Sequence, residues 1–151
     1  MTTAPTPRIA ESPTPNVRTV LAYVAALNAG DMDAVRPLFT PDAAIHGVTG
    51  SGDIDAAIAI WRSLRGGLNM RLTVEDLAES PDAVVVRFCE SGCWTGPCLG
   101  WENPTGRTYQ MPAIEWFSMR DGVIHRRWGI RDSGMLARQI GLVPDTDKAA
   151  A

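Results

Sequence analysis

The residues best suited to moving protons are two carboxylates, Asp132 and Glu115, and one imidazole, His46. Along the run Ile124 to Asp132, a two-residue alternation places Ile124, Arg126, Trp128, Ile130 and Asp132 on one side, with His125, Arg127 and Arg131 on the other. The first set holds the indole and most of the apolar bulk, so it is assigned to the inner face, with Asp132 beside Trp128. A carboxylate walled by Trp and Ile loses hydration, and its pKa rises toward the range useful for proton transfer. Asp132 also directly precedes a helical run beginning at Ser133, where aspartate caps well. Catalytic and capping roles both stand.

Glu115 alternates with Ile114 and Trp116 and shares a side with Ala113 and Phe117, among apolar neighbours where a lone charge is costly. Its expected partner is Arg126, across the hairpin turn Asp121-Gly122; it could equally be a second carboxylate working with Asp132. His46 carries an imidazole, a group suited to orienting or protonating a substrate oxygen. Tyr23, Trp61, Trp94, Trp101, Phe117 and Trp128 are expected to line an aromatic pocket for a flat, apolar ligand. An unpaired Arg126 facing that pocket would bind an enolate or carboxylate oxygen.

Elements that could hold these groups follow from the periodicity. Asn16 is expected to cap a helix carrying Val17, Val20, Leu21, Val24 and Leu27, ended by Asn28-Ala29-Gly30. A second helix is expected from Met32 to about Phe39, and a third from Asp53 through Arg65, after a short strand at Ala43–His46 and a loop at Gly47–Gly52. Strands are expected at Leu72–Val74, Ala83–Cys89, Thr108–Met119 and Val123–Ile130, and a closing helix at Ser133–Ile140. Helices followed by a sheet of neighbouring strands give an α+β class rather than alternating βαβ units.

The chain of 151 residues suits one domain, expected over 16–144 with an N-terminal arm at 1–15 and a tail at 145–151. Its net charge of −3, without a basic stripe, argues against nucleic acid. No apolar run reaches membrane-spanning length and the start lacks a signal-peptide pattern, so a cytoplasmic protein with no membrane partner is expected. Cys89, Cys93 and Cys98 lack paired C-x-x-C spacing and read as free thiols, with no metal site. Nucleotide-binding, zinc-protease and serine-hydrolase motifs are missing, which implies a cofactor-free reaction.

The run Asp121-Gly122-Val123-Ile124, Trp128-Gly129, Asp132, Leu136, Gln139 and Gly141 resembles the ending of SnoaL-like polyketide cyclases and ester cyclases, of the nuclear transport factor 2-like superfamily. Asn28-Ala29-Gly30-Asp31, Leu38-Phe39, Asp42 and His46, then Gly92, Thr95-Gly96, Leu99-Gly100 and Pro104-Thr105-Gly106, extend the resemblance over Val17 to Pro144. It implies a cone in which N-terminal helices pack on a curved antiparallel sheet, with a pocket on the concave face. It also implies that Asp132, at the W-x-x-x-D spacing from Trp128, is the acid/base of an intramolecular aldol closure. Trp94 stands where many relatives have histidine, and Arg126 where many have glutamate.

The reading is therefore a cofactor-independent cyclase or isomerase of a polyketide-like intermediate. Epoxide opening, by hydrolysis or cyclisation with Asp132 and Glu115 as an acid/base pair, is one alternative; a non-catalytic ligand-binding dimer is the other. The resemblance further implies a homodimer formed through the outer sheet face, where Ile114 and Trp116 would be exposed.

Overall fold

A computed structural model describes residues 9–143. The tail at 145–151 and most of the arm, residues 1–8, lie outside them.

The first helix, α1 (Pro15–Ala29), starts ahead of the expected Asn16 cap. Thr14 accepts from the Val17 N–H, while Pro15 occupies the first turn, where its missing N–H costs nothing. Gly30 ends the helix at φ 73°, a conformation that glycine adopts freely. The expected second helix is cut short. Asp31 caps α2 (Met32–Val35), which tightens into a 3-10 turn, Arg36–Leu38, because Pro37 cannot donate to an α-helical ladder.

Phe39 belongs instead to β1 (Phe39–Gly47), which turns back through β2 (Gly50–Gly52), so a tight hairpin occupies the expected loop. Asp53 caps α3 (Ile54–Leu68). Four longer strands follow, β3 (Arg71–Ser80), β4 (Ala83–Cys93), β5 (Thr108–Arg120) and β6 (Val123–Arg131), and then α4 (Ser133–Ile140). They form one curved, unclosed sheet in the order β2-β1-β6-β5-β4-β3. Its pairings are antiparallel except β1 with β6, which run parallel.

The inner face packs on α1 and α3 through Tyr23, Leu27, Ile58, Trp61, Phe88 and Phe117. A second apolar cluster, with Leu68, Trp94, Tyr109, Met111, Leu136 and Ile140, closes the end nearest α4. Among the described residues no helix is long and apolar enough to cross a membrane.

One irregularity decides which side chains face inward. Ser118 pairs with Arg126 but Met119 pairs with Ile124, so His125 is an extra residue in β6. A bulge advances the alternation by one and exchanges the faces of every later residue. The inner-face assignment of Arg126, Trp128 and Ile130 is therefore corrected. Arg127 and Gly129 are buried, whereas Ile130 is 71% exposed and Trp128 and Arg126 face outward.

Candidate active site

The inward turn of Arg127 and Arg131 builds a charged cluster on the inner sheet face. Glu115 of β5 is fully buried and stands opposite Gly129. Gly129 has no side chain, and the Arg127 guanidinium fills that space; a Cβ on Gly129 would lie 2.6 Å from Arg127 Cζ. Arg127 Nε donates to Glu115 Oε1 at 2.6 Å, Tyr23 O–H donates to the same oxygen at 2.8 Å, and Arg131 Nη2 donates to Oε2 at 3.2 Å. Arg131 stands opposite Ala113, whose small side chain lets the guanidinium cross β5, and its Nε donates to Glu90 Oε2 on β4 at 2.8 Å. Trp61 of α3 lies under Arg127, 5.6 Å from Cζ to the ring centroid.

The two carboxyls are pushed in opposite directions. Burial would raise the Glu115 pKa, but the Arg127 and Arg131 charges with their hydrogen bonds outweigh it and hold the group below the usual carboxylate range. For Glu90 burial prevails over the single contact with Arg131, so its pKa lies above that range. Burial, reinforced by the Glu115 charge, drives the Tyr23 phenol up, so it stays a proton-bearing donor. Glu115 is thus an anion that clamps two arginines, whereas burial favours the neutral form of the Glu90 carboxyl.

Over this cluster opens a cavity of about 320 Å³. Its walls include Ile60, Trp61, Leu68, Trp101 and Met111; Glu90, Arg127 and Arg131 supply charge, and Thr49, Ser51 and Ser133 supply hydroxyls. The wall elements are α3, the β1–β2 hairpin, the 94–107 connection and α4. Such a cavity holds a small apolar molecule and presents an acid/base and two guanidinium donors to its oxygens. Among the described residues no group of three or more His, Cys, Asp or Glu is placed to hold a metal ion, and the three thiols are unpaired.

The expected site residues are dispersed relative to this cavity. Trp61 and Trp101 line it. Glu115 sits behind the arginines, and its partners are Arg127 and Arg131 rather than Arg126, because the bulge moves Arg126 outward to pair with Ser118. Tyr23 and Phe117 are fully buried, meet edge to face at 5.2 Å and lie in the core outside the cavity lining. Trp94 packs against Trp101 at 6.4 Å, with its indole N–H donated to the Gly96 carbonyl. His46 stacks on the outward Trp128 at 5.2 Å and its Nδ1 lies 2.7 Å from Ser51 Oγ; the cavity-lining residues of its strand are Ile45 and Gly47. Asp132 is exposed and caps α4, accepting from the Met135 N–H at 2.9 Å between two cavity-lining neighbours, Arg131 and Ser133.

Glu90 and Arg131 escape the sequence reading. The signal for Glu90 is present, since Val84, Val86, Phe88 and Glu90 alternate on one face, but the expected strand stops at Cys89. No local pattern marks the His125 bulge, and without it Arg127 and Arg131 fall on the wrong face.

The sequence matches the family described as SnoaL-like domain over residues 20–127. A search among curated proteins gives no match. Several solved structures are similar. A candidate SnoaL-like polyketide cyclase from Jannaschia sp. CCS1 is 28% identical, covering 89% of this chain and 99% of its own, at a TM-score of 0.78. IdmH, a candidate polyketide cyclase from Streptomyces antibioticus, is 27% identical over 83% of this chain and 98% of its own, at 0.74. TsrD from Streptomyces laurentii is 26% identical over 85% and 96%, at 0.75.

Proposed function

The chain belongs to the SnoaL-like family, of the nuclear transport factor 2-like superfamily, and on that premise we propose that it is a cofactor-independent cyclase or isomerase of a small, polyketide-like substrate. The observation that carries this reading is the Glu90 carboxyl in the wall of an apolar cavity beside two guanidinium groups held by Glu115. Candidate polyketide cyclases among the structural relatives support a cyclase-type function.

In this mechanism the Glu90 carboxylate takes a proton from a carbon next to a carbonyl. The electron pair of the broken C–H bond moves onto the carbonyl oxygen, where Arg127 and Arg131 N–H groups stabilise the developing enolate. The enolate carbon then attacks a second carbonyl of the folded chain, forming the ring bond, and the resulting alkoxide takes its proton back from Glu90. Confinement in the cavity supplies the proximity that ring closure needs. Epoxide opening by two pocket carboxylates is weaker, because Glu115 is fully buried and already bonded to Tyr23, Arg127 and Arg131.

A second reading assigns the acid/base to Asp132, favoured by its place between Arg131 and Ser133 of the cavity wall. Incubating the protein with a linear poly-β-ketone thioester and following cyclised product by mass spectrometry tests the proposal. Closure no faster than in buffer overturns the enzymatic reading, and a Glu90→Gln variant as fast as wild type moves the proton transfer away from Glu90.

The outer sheet face supports a homodimer. Ile114 pairs with Ile130 and Trp116 with Trp128, and all of them are exposed on the single chain.

A further inference from the structure

Leu99 occupies a position in the 94–107 connection that suits its backbone badly. Cys98 N–H donates to the Trp101 carbonyl at 3.2 Å and Trp101 N–H to the Cys98 carbonyl at 2.7 Å, so Leu99 and Gly100 are the central residues of a tight turn. Both have positive φ, 51° at Leu99 and 79° at Gly100, as in the two-residue turns where asparagine, aspartate and glycine prevail. Glycine adopts this conformation freely. A branched side chain does so at a cost, and strain of this kind persists where the side chain has a use.

The turn is firmly seated. At the base of the connection Trp94 N–H donates to the Arg107 carbonyl at 3.0 Å and Gly106 N–H to the Trp94 carbonyl at 2.8 Å. The Gly67 carbonyl of α3 accepts from the Thr95 and Gly96 N–H groups, and a Cβ on Gly67 would approach Cys98 Cβ to 2.5 Å, so the connection lies directly on the helix. Leu99 N–H itself donates to Ser63 Oγ at 3.2 Å, next in sequence to Leu64 of the cavity wall. Held in this way, the Leu99 side chain lines the cavity. It is partly buried and packs against the cluster that holds Leu68, Met111 and Leu136, which line the cavity too.

Resting on the cavity reading above, we infer that Leu99 is a specificity-determining residue, a fixed apolar stop that limits how large a ring system the cavity accepts. Its amide is tied to α3, so a larger ligand meets the side chain instead of displacing the turn. The substrate is then selected by the extent of its apolar part, separately from the oxygens that meet Arg127 and Arg131.

Two ketones that differ by one fused ring, 2-acetylnaphthalene and 2-acetylanthracene, test this in wild type, Leu99→Gly and Leu99→Asn. Binding is followed by quenching of the emission of Trp61 and Trp101, which stand in the cavity wall. Wild type should prefer the naphthalene ketone by about tenfold, and both variants should erase that preference by admitting the anthracene ketone. Their melting temperatures should stay close to that of wild type, because glycine and asparagine relieve the turn. An unchanged ratio in either folded variant, or a wild type that takes both ketones equally, overturns the Leu99 inference and leaves the cavity reading standing. Melting several degrees lower in both variants overturns it too, by showing that leucine is kept for packing. Failure of wild type to bind either ketone removes the cavity reading and this inference with it.

Discussion

Gly129 stands directly across the β5–β6 ladder from Glu115, and the Arg127 guanidinium occupies the space a side chain at 129 would need. The buried charge on Glu115 is matched because the residue opposite it has no side chain. The two positions make one device.

Gly129→Ala should be disproportionately harmful for a single methyl. The strand backbone accepts alanine, so the effect comes from the 2.6 Å approach to Arg127 Cζ. Displacing Arg127 leaves Glu115 short of a partner, and breaking a buried pair costs about 3 kcal/mol or more. Urea unfolding measures it; a loss below about 1 kcal/mol would mean that Arg127 relocates without penalty.

Stability should respond to pH in opposite senses at the two carboxyls. The Glu115 pKa is depressed in the folded state, so its contribution is present above the unfolded pKa and lost as pH falls through the folded one. The Glu90 pKa is raised, so its contribution is present below the unfolded pKa and lost as pH rises through the folded one. Unfolding curves from about pH 4 to 8 should therefore show Glu90→Gln gaining on wild type as pH rises. A constant difference between the two proteins would place Glu90 in an ordinary environment.

Capping and catalysis separate cleanly at Asp132. Asparagine caps as well as aspartate, so Asp132→Asn should cost a few tenths of a kcal/mol, whereas Asp132→Ala should cost about 1 kcal/mol. If Glu90 moves the proton, Asp132→Asn keeps its rate within about threefold while Glu90→Gln loses about 100-fold or more. The reverse pattern in the kinetics would select the Asp132 reading.

Light scattering at micromolar concentration should give a dimer for wild type and a monomer for Ile130→Lys. Ile130 is the most exposed large apolar residue of the outer face, and a charge there meets its counterpart or another apolar surface across the interface. A monomeric wild type ends the proposal.

The sequence by itself determined the class and order of elements. Helical spacing, the Asp132 cap, Gly30 as a stop and the Asp121-Gly122 turn are local signals; most expected elements form, but the second helix is cut short, a hairpin takes the place of the 47–52 loop and the strand at Leu72–Val74 runs on to Ser80. Asp132 illustrates the limit: its suitability as a cap is a local property, whereas its distance from a cavity is not. Only the tertiary structure decided which charges meet. The His125 bulge depends on the pairing of β6 with both β5 and β1, and it turns Arg127 and Arg131 inward while sending Arg126, Trp128 and Ile130 out. Glu90, Glu115 and the two arginines lie on three strands and become neighbours because Ala113 and Gly129 leave room across the sheet. Local periodicity records a residue's face only until the register changes, and register is settled between strands rather than within one.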